Sequence, residues 1–245
     1  MDSAKGKTII FDIETVGEDF DQLDDLTKHV LIRRIKESAG SEQEIEDRIE
    51  VIRNSTGLSP LTGQIAAIGV LAVDSDQGAV YYQAPGVTEE DAVEDGIKLA
   101  AMNEKEMLKN FWRVASSCHT LVGFNSRSFD AFFLNIRSAV HGIRPSVDLM
   151  SNRYLKSQFG AARHIDLLDQ LRYYGAVNSI GLNLHLWCRA LGIKSPKENG
   201  VDGSLVGQLF KDQRYKDIAR YNIDDLLATR ELFRTWDALL NFQKV

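Results

Sequence analysis

Apolar positions recur along this chain at two periods, and each change of period predicts a change of element. Residues 8–15, Thr-Ile-Ile-Phe-Asp-Ile-Glu-Thr, are mostly apolar and β-branched and predict a buried strand with an acidic end. In the segment 18–60, Phe20, Leu23, Leu26, Val30, Leu31 and Ile35, then Ile45, Ile49 and Ile52, recur at spacings of three and four. That pattern predicts two amphipathic helices, broken at Ala39-Gly40-Ser41, with Ser41 and Glu44 at capping-box spacing. The segment reads as a helical insertion after the first strand. Its charge runs fit a solvated face, and a lid over a site is the other role open to it.

Residues 64–73 predict a second strand, 74–78 a turn and 79–83 a third strand. A helix follows over 104–116, where Met107, Leu108, Phe111, Trp112 and Ala115 form a core-facing stripe. A short apolar strand over 119–125 runs into a helix over 131–140 that closes at Gly142. Between 144 and 179, Ile165, Leu167, Leu168, Leu171 and Tyr174 give a strand-to-helix pattern, with Asp148, Asp166 and Asp169 expected as caps and surface residues. A helix over 182–191 breaks at Gly192, a loop covers 195–200 and a short helix 204–210. The last helix spans 215–240, carrying Ile218, Ala219, Ile223, Leu226, Leu227, Leu232, Phe233 and Trp236 on its apolar face.

Composition narrows the class. A chain of 245 residues, 44% hydrophobic and 26% charged with four prolines, suits one soluble domain, or one domain with an insertion. Cys118 and Cys188 make neither a disulfide framework nor a four-ligand zinc site, and a reducing cytoplasm fits them. The polar start, residues 1–7, has no apolar signal region, and no stretch nears the roughly 18 continuous apolar residues of a membrane span. The expectation is a protein neither exported nor membrane-spanning. A net charge of −6 argues against coating nucleic acid with the whole surface. It leaves room for an enzyme that grips one strand end through metal-binding acids.

Alternation along the first strand sends Asp12 and Glu14 to one face, Phe11 and Ile13 to the other. Two carboxylates side by side at the end of a core strand repel, and a divalent cation preferring oxygen ligands relieves that repulsion. Alone, the pair also fits a solvated strand end. A third acid, Asp130, falls at a strand-to-helix junction, where open α/β sheets keep their sites. By itself it also fits an acid favoured by the helix dipole, as Asn125 fits a turn. On the last helix, Tyr221 and Asp225 are four apart and share a face.

Three islands therefore stand in order: Phe11-Asp12-Ile13-Glu14-Thr15, Gly123-Phe124-Asn125-Ser126-Arg127-Ser128-Phe129-Asp130, and Tyr221-Asn222-Ile223-Asp224-Asp225. They resemble the exonuclease motifs D-I-E-T, N-x-x-x-F-D and Y-x-x-x-D of the DEDD superfamily in its tyrosine-bearing branch. The look-alikes are the proofreading exonuclease domain of family B DNA polymerases and similar stand-alone proteins. Each motif is weak alone, three in order are specific, and the resemblance covers nearly the whole chain apart from 18–60.

The resemblance implies one 3′-5′ exonuclease domain over 1–245 with an α/β, ribonuclease H-like fold, a mixed five-stranded sheet flanked by helices. It implies Asp12, Glu14, Asp130, Tyr221 and Asp225 as catalytic residues, the four carboxylates holding two divalent cations, Mg²⁺ or Mn²⁺. Two such ions about 3.5–4 Å apart supply an activated water, a stabilised leaving oxygen and charge neutralisation. Asp12 is expected to bridge them, Glu14 and Asp225 to serve the ion holding the attacking water, and Asp130 the other. Tyr221 is expected to orient that water, since a phenol of pKa near 10 is a poor base. No histidine has the H-x-x-x-x-D spacing of the histidine-bearing branch near the last helix.

Thr15, Asn125 and Phe129 are implied as contacts to the substrate, although Phe129 equally suits core packing. Asp224, at i+3 from Tyr221, is within reach of the same site, and the motif spacing favours Asp225. The expected substrate is single-stranded DNA with a free 3′ end, releasing nucleoside 5′-monophosphates. An exoribonuclease with the same site and a non-catalytic nucleic-acid-binding module are the alternatives. The first differs only in contacts to the 2′-hydroxyl, which no motif reports. Against the second stand all four acids and Tyr221. Protein partners are not legible in the sequence.

Overall fold

The structure, a computed structural model, describes residues 7–178, 181, 183–195 and 203–242. Among these, seven strands form one mixed sheet: β1 (Thr8–Gly17), β2 (Gly63–Ala72), β3 (Gly78–Tyr82), β4 (Ala92–Glu94), β5 (Ile97–Ala101), β6 (Thr120–Gly123) and β7 (Arg163–Asp166). Their spatial order is β4-β5-β3-β2-β1-β6-β7. β1 is near the centre, antiparallel to β2 and parallel to β6.

The count of seven corrects the expected five. The two additional strands are β4 and β5, joined at Asp95-Gly96, whose φ values of 49° and 83° are those a two-residue hairpin requires. β4 is only three residues long and open to solvent, so it carries little alternation. β5 pairs parallel to β3 and is buried apart from exposed Lys98 and half-buried Ala101.

Eight helices flank the sheet within the described residues: α1 (Asp25–Ser38), α2 (Glu42–Ser55), α3 (Glu104–Ala115), α4 (Asp130–Val140), α5 (Leu167–Leu171), α6 (Leu184–Ala190), α7 (Val206–Lys211) and α8 (Tyr215–Leu239). Period-two alternation along β1 divides the core. Ile9, Phe11 and Ile13 pack with Met107, Leu108 and Phe111 of α3 and with Phe133 and Leu134 of α4. Ile10 and Val16 point to the opposite layer, where α8 contributes Ile218, Leu226, Leu232 and Trp236. Each such buried side chain contributes about 1.5–3 kcal/mol, so β1 is clamped between two apolar layers. A clamped strand gives its polar residues fixed directions.

Among the described side chains α1 and α2 bury nothing in either layer, and Leu26, Val30 and Val51 are exposed. Ser41 caps α2 by accepting the Glu44 N–H at 3.2 Å, as its spacing predicts. The Glu44 carboxylate turns to the N–H of Gly40 rather than that of Ser41, so the box closes one residue early. Both cysteines are buried and free, and no helix of the described residues is long and apolar enough to cross a membrane. Residues 1–6, Leu182 and positions 196–200 of the expected loop lie outside the described residues.

Candidate functional site

Asp12 and Glu14 lie on the β1 face covered by α8, as alternation requires. Opposite Asp12 in the ladder is Gly69 of β2. A Cβ there would fall 1.9 Å from the Oδ1 of Asn222 and 2.5 Å from Leu226, so only glycine lets α8 come this close. Asn222 uses that space, its Nδ2 donating to Asp12 Oδ2 at 2.8 Å. Between Glu14 and Thr15 the ladder slips, with β2 supplying one extra residue, Ala66. Bulges of this kind re-aim side chains at the rims of sites. Past the bulge, Thr15 Oγ1 donates to the Gly57 carbonyl at 2.7 Å, tying the end of β1 to the turn after α2.

Asp225 is one helical turn from Tyr221 on α8. Carboxylate oxygens of Asp12, Glu14 and Asp225 come within 4.8 Å of one another. Asp225, not Asp224, is the member of that trio. Burial pushes the Asp12 and Glu14 carboxyls well above the ordinary carboxylate range, and the neighbouring acids push them further. Such a cluster is primed for a compensating cation.

Asp130 stands just outside the trio, at the start of α4, where its Oδ1 accepts the Ile13 N–H at 3.0 Å. Burial raises its pKa to about 7, against the lowering effect of backbone hydrogen bonds. The same cleft, of about 240 Å³, is lined by Asp12, Asp130, Asp225, Tyr221, Asn125 and Phe129. Glu14 is behind that surface, only 7% exposed, and Thr15 does not reach it. Phe129 packs 5.4 Å from the Phe133 ring, its expected core role, and also borders the cleft. Tyr221 is 8% exposed, and burial drives its hydroxyl pKa far above the ordinary value, followed by the charges of Asp225, Glu14 and Asp12. The hydroxyl therefore keeps its proton near neutral pH and is able to donate.

The loop bearing Asn125 is held from below by residues that sequence patterns did not single out for the site. Asp166, expected as a surface cap, is instead 4% exposed. It caps α5 through the Leu168 N–H at 2.9 Å and also accepts the N–H groups of Asn125 and Arg127 at 3.0 and 2.9 Å. Those bonds hold Asn125 at φ 56°, a left-handed conformation that asparagine tolerates. Buried His164 links Ser126 Oγ through Nε2 at 2.8 Å and the Leu149 carbonyl through Nδ1 at 2.6 Å. Asn222 and His185 were also missed. His185 of α6 lines the cleft, with Nδ1 2.6 Å from Ser195 Oγ. A signal for Asn222 existed, because on a helix it lies at i+1 from Tyr221 and i−3 from Asp225, on the edge of the same face.

Comparisons with known proteins bear on the family and the fold. Residues 63–239 match the family described as a predicted 3′-5′ exonuclease related to the exonuclease domain of PolB. The match includes Asn125, Asp130, Tyr221 and Asp225 and begins after β1. An uncharacterised protein of Methanocaldococcus jannaschii is 28% identical over 187 residues, 75% of this chain and 88% of that one. The family B DNA polymerase of the hyperthermophilic archaeon Pyrobaculum calidifontis superposes with a TM-score of 0.58 over 94% of this chain, at 15% identity. This chain spans 24% of that polymerase, and the likeness shows the fold: an α/β, ribonuclease H-like sheet flanked by helices. The family match covers most of the chain, which belongs to the predicted 3′-5′ exonucleases related to the exonuclease domain of family B DNA polymerases.

Proposed function

We propose that this protein is a metal-dependent 3′-5′ exonuclease that removes nucleotides singly from single-stranded DNA and releases nucleoside 5′-monophosphates. The observation that carries this is the convergence of Asp12, Glu14 and Asp225, from opposite ends of the chain, within 4.8 Å. All their donors are hard oxygens, and burial with mutual repulsion raises the Asp12 and Glu14 carboxyls, which a divalent cation would offset, so the set fits Mg²⁺ or Mn²⁺. Asp12, Glu14, Asp225 and Asp130 would hold two such ions, which when bound neutralise phosphate charge and acidify a water.

The chain's own residues supply the rest. Tyr221 keeps its proton and donates, which orients a water or phosphate oxygen without removing a proton from it. Asn222 holds Asp12 in one rotamer. Asn125 and Phe129 border the cleft from the α4 side, where they would grip the terminal nucleotide, the ring by stacking. The whole chain would act as one domain, α1 and α2 forming an insertion in it, and two buried free thiols suit a reducing cytoplasm.

The test is a time course on 5′-labelled single-stranded DNA and RNA of one sequence with Mg²⁺, Mn²⁺ or EDTA, for wild type and Asp12→Ala. A DNA ladder shortening from the 3′ end, lost with EDTA and in the variant, is the expected result. Activity that survives Asp12→Ala would overturn the site, and a preference for RNA would overturn the substrate.

A further inference from the structure

Beside the acidic cleft, and sharing Asn125 with it, a second cleft of about 470 Å³ opens between the turn after β6 and the chain that follows α5. Three guanidiniums border it, those of Arg127, Arg153 and Arg172, on a chain whose net charge is −6. Two carboxylates also border it, and both are engaged. Asp166 is turned inward to backbone N–H groups, and Asp169 pairs with Arg153.

The guanidiniums of Arg127 and Arg172 meet no carboxylate among the described residues. Arg127 donates to the carbonyls of Leu149 and Ser151. Arg172 donates through Nε to the Val177 carbonyl at 2.9 Å and through Nη2 to Asn178, which leaves the two N–H groups of Nη1 without an acceptor there. A guanidinium fixed by neutral carbonyls keeps its full charge in a set position, which is what recognition of a phosphodiester needs.

Tyrosines adjoin the lining residues in the chain, Tyr154 next to Arg153, and Tyr173 and Tyr174 between Arg172 and Gly175. Tyr154 and Tyr173 are 51% and 57% exposed, and the Tyr174 ring lies 4.7 Å from that of Tyr154 with the Arg153 guanidinium 6.0 Å above it. The chain here passes through three successive left-handed residues, Tyr173, Tyr174 and Gly175, at φ 48°, 58° and 93°. Tyrosine rarely adopts that conformation, and such outliers concentrate at functional sites. Exposed rings beside fixed cations make a platform for unpaired bases and their phosphates.

We propose that this second cleft is a subsite for the upstream nucleotides of the DNA strand whose 3′ end lies among the acids. Arg127 and Arg172 contact phosphates, and Tyr173 and Tyr154 stack bases. The inference rests on the exonuclease reading and extends it from the terminal nucleotide to the strand behind it.

The experiment compares a 5′-labelled deoxydinucleotide with a deoxydodecanucleotide as substrates of the wild type, Arg172→Ala and Tyr173→Ala. A second arm measures binding of fluorescein-labelled dodecathymidylate in EDTA by anisotropy over a range of salt. Each variant is expected to raise KM for the dodecanucleotide about five- to ten-fold with kcat within two-fold, and to leave dinucleotide hydrolysis near the wild-type rate. Arg172→Ala should also lower the salt dependence of binding by about one phosphate contact. Tyr173 makes no side-chain hydrogen bond among the described residues, so its variant guards against a merely unfolded loop. An active wild type whose dodecanucleotide KM is unmoved by both changes overturns the subsite. If the wild type hydrolyses nothing, the exonuclease reading fails while the binding arm still decides. Weaker binding in both variants upholds the subsite, and equal binding, or none by the wild type, removes it.

Discussion

The side-chain amide of Asn222 donates to Asp12 at 2.8 Å across 210 residues of sequence, and the ladder position that admits it is glycine. Asn222 is fully buried, and its Oδ1 finds no hydrogen-bond partner among the described residues. An unpaired buried acceptor costs about 1–3 kcal/mol, so the contact with Asp12 is retained at some expense of stability. Asn222→Ala should weaken Mn²⁺ binding about ten-fold in calorimetric titration, the usual effect of removing a group that orients a ligand. Unchanged affinity would show that Asp12 holds its rotamer unaided.

Gly69→Ala tests the same contact from the opposite strand. The added methyl would meet Asn222 and Leu226, both closed in by α8 packing. Overpacking of this kind destabilises by about 1–3 kcal/mol, readable as a lower urea midpoint. Metal binding should fall with it.

Mutual repulsion of the buried acids predicts an inverse response to metal and to charge removal. In EDTA at pH 8, Asp12→Asn should melt at a higher temperature than the wild type, yet gain nothing from Mn²⁺. Raised folded-state pKa values mean a contribution fully present below the unfolded value and lost as pH rises through the folded one. For Asp130 that window runs from about 4 to about 7. Mn²⁺ should therefore raise the wild-type melting temperature more at pH 8 than at pH 5.5, and an equal rise at both would contradict the cluster.

Tyr221→Phe removes a donor and no charge. Turnover should fall on the order of ten- to a hundred-fold through lost orientation, with Mn²⁺ affinity retained. Because the hydroxyl does not ionise in the working range, the shape of the pH-rate profile should match that of the wild type. An altered limb would make Tyr221 a titrating group.

His164 supplies a second pH dependence, independent of metal. Burial lowers its pKa to about 4, so the native state holds it neutral between Ser126 and Leu149. Its stabilising contribution is present above the unfolded value near 6.5 and is lost as pH falls through about 4, a span worth about 3 kcal/mol. Denaturant titrations of wild type and His164→Gln at pH 7 and pH 4.5 should show the gap between them shrinking at the lower pH. A constant gap would mean that His164 is not held neutral.

Replacing residues 25–55 by a short Gly-Ser linker should leave a soluble protein with its cooperative thermal transition. No described side chain of α1 or α2 is buried in the core, whereas Phe20, Leu23 and Thr56, which flank them, are buried and stay in place. An insoluble product would show that the helical pair completes the fold.

Local periodicity made much of this protein legible. Alternation in residues 8–15 is enough to send Asp12 and Glu14 to one face, and helical spacing puts Tyr221 beside Asp225, because both depend only on backbone geometry within one element. The order of the three acidic islands carried the family, and the apolar stripes carried five strands and most helices. What tertiary structure alone decided depends on pairings between distant segments. Gly69 matters because α8 crosses it, and Asp166 matters because the loop at Asn125 folds onto it. The hairpin of β4 and β5 escaped because three exposed residues cannot show a period. The arginines of the second cleft come from three separate segments, and proximity among such residues is a property of the fold, not of any stretch of chain.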